Sequence, residues 1–202
     1  MSNTVYNGMT VEASSKEVLD QFLEDVAGCE NGRTLPLCFN RIIPMPVALL
    51  VKKPRQTALA YEAFYGDFAI VANHAGPKEA ITSRKDAINY VEGLLPDAAG
   101  AADKARADME RYGENNWDDW RYKNWGTSWE ATFIEVDRTS DTVAEFHFET
   151  AHYFPKKVII ELVALYPEIT FAGSFSEEMG EFEGEFDGAD IRTTASASGS
   201  PV

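Results

Sequence analysis

The chain has 202 residues, of which 33 are Asp or Glu and 18 are Lys or Arg, giving a formal net charge of -15. Nucleic-acid affinity comes mainly from lysine and arginine displacing counterions, so a surface of this sign disfavours direct DNA or RNA binding and attracts a basic protein surface instead. Hydrophobic residues at 45% and aromatics at 12% exclude a disordered chain and predict a core that folds without metals or crosslinks.

Cys29 and Cys38 form neither a C-x-x-C pair nor part of a zinc-ligand spacing, so both are expected as free thiols, with no metal and no cofactor. Met1-Ser2-Asn3-Thr4-Val5 has no basic region followed by an apolar run, and no stretch approaches a membrane span, so a cytoplasmic location is expected.

Val5, Met9 and Val11 fall on alternate positions and predict a strand over Thr4 to Glu12. Ser14 and Glu17 have capping-box spacing, and Val18, Phe22 and Val26 repeat at i, i+4 and i+8, which predicts an amphipathic helix. Leu37 to Ile43 reads as a short strand closed by Pro44 and Pro46, neither of which can donate to a ladder.

From about Val47 to Trp125 the chain turns rich in alanine, charge and helical periodicity, with breaks at Gly76-Pro77, Pro96 and Gly113, which predicts a helical insertion. Within it Lys104 and Asp108 pair at i, i+4. The segment Asn116 to Gly126 has an Asn cap, the acids Asp118 and Asp119 in its first turn, and a glycine placed for a left-handed C-cap.

From Glu130 the period drops to two, giving strands on either side of a turn at Asp137 to Asp141. Pro155 opens a helix carrying Val158, Ile159, Leu162, Val163 and Tyr166, and Ile169 to Phe175 is another strand. The order β-α-β, insertion, β-β-α-β gives an α+β fold class: a ferredoxin-like split βαβ antiparallel sheet with a helical insertion at about 47–125. One domain is expected over 1–192, with a disordered Ser, Ala and Gly tail at 193–202.

Two features could carry function. Trp117, Trp120, Tyr122, Trp125 and Trp129 form an aromatic cluster that either packs the insertion helix onto the sheet or offers a protein hot spot, and the flanking Asp118 and Asp119 argue against base stacking. The segment Glu177 to Asp190 holds Glu177, Glu178, Glu181, Glu183, Glu185, Asp187 and Asp190 without a single Lys or Arg. Its alternation from Glu181 to Asp187 predicts four carboxylates on one face of a strand, about 7 Å apart, roughly every second phosphate of a DNA strand. The same charge could equally protect an edge strand from pairing.

Catalytic patterns are absent from the sequence: no G-x-S-x-G, H-E-x-x-H, Walker loop or G-x-G-x-x-G occurs, and Glu149 with His152 is the one remote metal or acid-base pairing. A non-enzymatic protein is expected.

The stretches Asn3-Thr4-Val5-Tyr6-Asn7, Phe39 to Pro46, Trp120 to Trp129 and Glu177 to Phe182 resemble the YubB-like, Api-type family of plasmid and phage proteins, the Asn-Trp-Gly-Thr-x-Trp core at 124–129 most specifically. The resemblance runs over nearly the whole chain. It implies a ferredoxin-like domain and a mobile-element setting in a bacterial host, and assigns no catalytic residue. Charge and setting together predict a protein that binds and blocks a basic, nucleic-acid-binding host protein, such as a defence or CRISPR complex. The partner-binding residues would be Glu177, Glu178, Glu181, Glu183, Glu185, Asp187, Asp118 and Asp119. The alternatives are an interaction module that uses the aromatic insertion, and an enzyme of unrecognised type.

Overall fold

The computed structural model describes residues 3–30 and 32–195. The chain divides into two compact units, Met1–Pro44 with Arg121–Val202, and Met45–Trp120. The first unit opens with β1 (Thr4–Ala13), α1 (Lys16–Val26), a small hairpin of β2 (Gly28–Glu30) and β3 (Arg33–Leu35), and α2 (Phe39–Ile42). The second unit holds α3 (Pro54–Phe64), α4 (Phe68–Ala75), α5 (Arg84–Leu94) and α6 (Ala98–Tyr112). Helix α7 (Trp117–Trp125) begins in the second unit and ends in the first. The first unit then resumes with β4 (Thr132–Arg138), β5 (Val143–Ala151), α8 (Lys156–Leu165), β6 (Ile169–Glu177), β7 (Phe182–Asp187) and β8 (Asp190–Ala195).

The six-stranded sheet has the order β4-β5-β1-β6-β7-β8 and is antiparallel throughout. Two βαβ units interlock in it, β1-α1-β4 and β5-α8-β6, which is the predicted split-βαβ arrangement with β7 and β8 added beyond β6. The closing strand of the first unit is not where the sequence pointed. Leu37–Ile43 was expected to be a strand, and Phe39–Ile42 is instead the short helix α2. The reason is nonlocal: the buried Glu130 carboxylate accepts from the backbone N–H groups of Phe39 at 2.5 Å and Asn40 at 3.2 Å, satisfying donors that open a helical turn. The insertion therefore lies inside the crossover between α1 and β4.

Two further boundaries move. Helix α1 is capped by Ser15, whose hydroxyl accepts from Val18 N–H at 3.3 Å, one residue later than the expected Ser14. Thr193, Thr194 and Ala195, expected to lie in a disordered tail, complete β8 by pairing with Gly184, Glu183 and Phe182; the rest of that tail lies outside the described residues.

Alternation decides which face of the sheet is buried. Val5, Met9 and Val11 of β1, Ala144, Phe146 and Phe148 of β5, and Phe171 and Phe175 of β6 point to one side, where α1 and α8 lie. Phe22 of α1 meets Phe146, Phe171 and Tyr166 at centroid distances of 6.1, 5.6 and 5.0 Å. Gly184 of β7 faces the same side because a Cβ there would lie 2.4 Å from the Phe175 ring and 2.3 Å from a β8 carbonyl.

Trp125 ends α7 fully buried within the first unit. Its indole donates to the Ile43 carbonyl at 2.9 Å, its ring meets Phe39 edge-on at 5.8 Å, and Arg121 stacks 4.6 Å above it. Gly126 follows at φ +91, donating to the Tyr122 carbonyl at 3.1 Å, as the sequence led one to expect.

The second unit is an alanine-rich helical cluster around Leu59, Ala63, Val71, Ala87, Val91 and Ala98. Its helix starts are capped by Asp67, by the Ser83–Asp86 capping box and by Asp97. Trp120 is buried and the Trp117 indole donates to the Val51 carbonyl at 3.1 Å. Among the described residues no helix is long and apolar enough to cross a membrane.

Trp125→Ala removes a large buried ring together with its hydrogen bond, so it is expected to lower stability by about 3–5 kcal/mol. Urea unfolding followed by circular dichroism checks this, and a midpoint unchanged from the native chain would contradict the packing described.

Candidate functional site

Because α1 and α8 lie on one side of the sheet, the other side of the central strands carries side chains that neither helix covers. Register assigns them in rungs. The first rung runs Glu149, Tyr6, Ser176, Glu183 and Thr194; the second runs Glu135, His147, Gly8, Ser174, Glu185 and Arg192; the third runs Asp137, Glu145, Thr10, Ala172, Asp187 and Asp190. On β1 and β6, at the centre, the side chains are mostly small. On β4 and β5 to one side, and on β7 and β8 to the other, they are mostly carboxylates.

The result is a trough of about 1010 Å³ whose lining includes Gly8, Ser174 and Ser176 at its floor. Glu135 and Glu149 line one side of it and Glu183 and Glu185 the other, and strand register continues the two acidic rows beyond the trough to Asp137 and Glu145 and to Asp187 and Asp190. Glu12, further along β1, brings the face to nine carboxylates. Among the described strand residues of this face Arg192 is the one arginine and there is no lysine. Arg192 is already engaged: it bonds Asp190 at 2.5 Å and lies 4.0 Å from Glu185, and the Asp190 hydrogen bond holds its guanidinium above the ordinary range.

Aromatic groups stand at one end of the trough. Tyr6 is 48% exposed and Phe133 is 80% exposed. Phe133 sits in the register shift between Thr132 and Glu135 with φ +49, a left-handed conformation that is uncommon for an aromatic residue. The bulge re-aims the side chain, and an apolar ring is left in water at the rim.

The predicted binding residues divide. Glu183, Glu185 and Asp187 share one face of β7 as expected. Glu181 does not join them, because the strand starts at Phe182 and Glu181 belongs to the preceding turn. Glu177 is buried, and its Oε2 accepts from Met179 N–H at 2.8 Å and Glu181 N–H at 3.0 Å, so it shapes the β6–β7 turn and is withdrawn from any partner. Glu178 Oε2 accepts from Thr4 N–H at 3.2 Å at the end of the sheet. Asp118 and Asp119 lie in the first turn of α7, where the Asn116 side-chain Oδ1 accepts from both backbone N–H groups at 3.0 Å; they belong to the second unit and are not on these strands.

The opposite wall went unread in the sequence. Glu135 and Glu145 lie on period-two segments read as strands, whereas Asp137 was expected in the turn between them and Glu149 just past the second; β4 and β5 include both, and only the sheet order brings the four level with β7. Glu130 was also missed as a structural group. Its carboxylate lies 3.7 Å from the Cys38 thiol, which burial first and this negative charge second push up to about 11. Glu149 lies on the open face, while His152 sits at φ +66 in the turn after β5. Among the described residues no group of three or more His, Cys, Asp and Glu is arranged to hold a metal ion.

Two outcomes are expected. The like charges of the trough repel one another, so adding salt or making the Glu183→Gln/Glu185→Gln double substitution raises the melting temperature by roughly a few degrees; a fall on both would contradict the crowding. A thiol alkylating agent near neutral pH modifies exposed Cys29 and leaves buried Cys38 untouched until the chain is unfolded, as mass spectrometry would show; labelling of both native thiols would refute the burial of Cys38.

No family model matches the chain, and no curated protein matches it. Among solved structures it is similar to protein api92 from Yersinia pseudotuberculosis, family-model DUF1281, at 12% identity and a TM-score of 0.47, over 99% of this chain and 100% of that one.

Proposed function

We propose that this protein is a non-enzymatic binder that captures and blocks a basic, nucleic-acid-binding protein through the open face of its sheet. The observation that carries the reading is the gathering of nine carboxylates on one face around a floor of small residues, with Arg192 already neutralised by its neighbours. An acidic field attracts a positively charged surface from a distance, and Tyr6 at one end of the floor and Phe133 on the edge strand then offer contact area. The resemblance to plasmid and phage proteins of the YubB-like, Api-type family supports a setting in which such capture disarms a host defence complex.

The alternative of an interaction module built on the insertion's tryptophans loses its anchors, since Trp120 is buried and the Trp117 indole is bonded to Val51. Tyr122 and Trp129, each 49% exposed, are what remains of it in the first unit.

Immobilised protein incubated with bacterial lysate tests the reading. Low salt is expected to retain a set of basic proteins that high salt releases, and Glu135→Lys/Glu183→Lys/Glu185→Lys is expected to lower their capture by about tenfold or more. Asp118→Lys/Asp119→Lys and Tyr122→Ala/Trp129→Ala leave capture intact. If the triple reversal retains the same proteins as the native chain, the acidic face is not the binding surface.

A further inference from the structure

The dimensions of the trough narrow its occupant. We infer that it receives a single basic α-helix of the partner, lying along the strands with lysine or arginine on both flanks; this rests on the reading of the open face as a docking surface. Adjacent strands are about 4.8 Å apart, so β5 and β7, separated by β1 and β6, stand about 14 Å from each other. An α-helix with its side chains is about 10–12 Å across, and the DNA major groove that accepts such helices is about 12 Å wide.

Both walls and the floor repeat in step. Glu149 faces Glu183 across Tyr6 and Ser176, His147 faces Glu185 across Gly8 and Ser174, and Glu145 faces Asp187 across Thr10 and Ala172. These rungs are about 7 Å apart, and residues i and i+4 of a helix rise about 6 Å, a mismatch that flexible lysine and arginine stems absorb. Gly8 is the lowest point of the floor; a Cβ there would meet nothing nearer than 3.7 Å, so its lack of a side chain deepens the trough without being required by packing.

An extended segment standing on edge would also send alternate side chains to the two walls. Its peptide groups would then face β1 and β6, whose own peptides are bonded to strands on both sides, and would find only scattered side-chain hydroxyls, those of Tyr6, Thr10, Ser174 and Ser176. A helix brings its backbone hydrogen bonds with it. The flanking carboxylates therefore do for such a helix what the phosphate rows of a major groove do, and a DNA-reading helix is the kind of segment that carries basic residues on both flanks.

The test uses the full chain and three synthetic peptides of equal length and net charge, each of about 16 residues, or about 24 Å as a helix. In the first, arginines repeat at i, i+4 and i+8 along two flanks of an alanine-rich helix; in the second they are scrambled around it; the third has the first pattern interrupted by two interior prolines. The flanked helix is expected to bind about tenfold tighter than either comparator, gaining helicity by circular dichroism and shifting the amide resonances of Gly8 and Ser174. Gly8→Trp, which fills the floor, and Glu149→Lys/Glu183→Lys, which reverses the walls, each weaken it by about tenfold in proteins whose melting shows them folded. Should Gly8→Trp not fold, Ser174→Trp at an exposed position fills the same floor. Equal binding of all three peptides, lost on charge reversal, overturns the helix while leaving acidic docking in place; indifference to charge reversal overturns both.

Discussion

The structure depends on a one-sided sheet. β1 is hydrogen-bonded to β5 along one edge and to β6 along the other, yet it is packed on a single face. α1 and α8 lie on the same side, where Phe22 meets Tyr166, Phe146 and Phe171, which is where the right-handed crossover general to such βαβ units would place both. Everything apolar on alternate positions is then drawn to that side, and Phe22, Phe146 and Phe171 close a core there. The other side is left to side chains that remain hydrated, and in a chain of charge -15 these are chiefly carboxylates. The acidic face follows from the placing of both helices on one side as much as from the number of acids.

Local patterns were legible wherever a segment's conformation depends on its own residues. Asn116 caps α7 and Gly126 ends it, and the alternation in β1, β5 and β6 declares which residues are buried. Leu37 to Ile43 has strand composition but coils into α2, because Glu130, 91 residues from Phe39, supplies an acceptor for its first N–H groups. β8 was unreadable for a similar reason. Thr193 and Thr194 bury little and pair only because β7 offers a free edge beside them. The acidic row on β7 was visible in the sequence, whereas the wall opposite was not, since Glu149 and Glu183 become neighbours only through the order of the strands between them.

The insertion shows how tolerant the interlocked sheet is of a long connection. Loop closure grows only with the logarithm of length, so replacing a short α1–β4 link by a unit spanning Met45–Trp120 costs little in the first unit as long as the insert folds on its own contacts. It does so through Leu59, Ala63, Val71, Ala87 and Val91, and through Arg84, which donates to the Ala63 and Gly66 carbonyls at 2.8 Å and closes the end of α3. The strands that form the open face all belong to the first unit.

Carrying so many like charges on one face works against the folded state. Each carboxylate raises the energy of its neighbours, and the single arginine among the described strand residues of this face, Arg192, relieves chiefly Asp190 and less so Glu185 and Asp187. A sheet selected for stability alone would alternate lysine with glutamate across its strands, since opposite charges placed directly opposite stabilise a pair and like charges destabilise it. Here Glu145 stands opposite Asp137, and Asp187 opposite Asp190. Repulsion of this kind is relieved by any cationic body that enters the trough, so the free energy withheld from folding becomes available to binding. The exposed ring of Phe133, held at a positive φ by a bulge, has the same character, being unfavourable in the isolated chain and covered when the trough is filled. Both features are what the proposed docking of a cationic partner on this face would relieve.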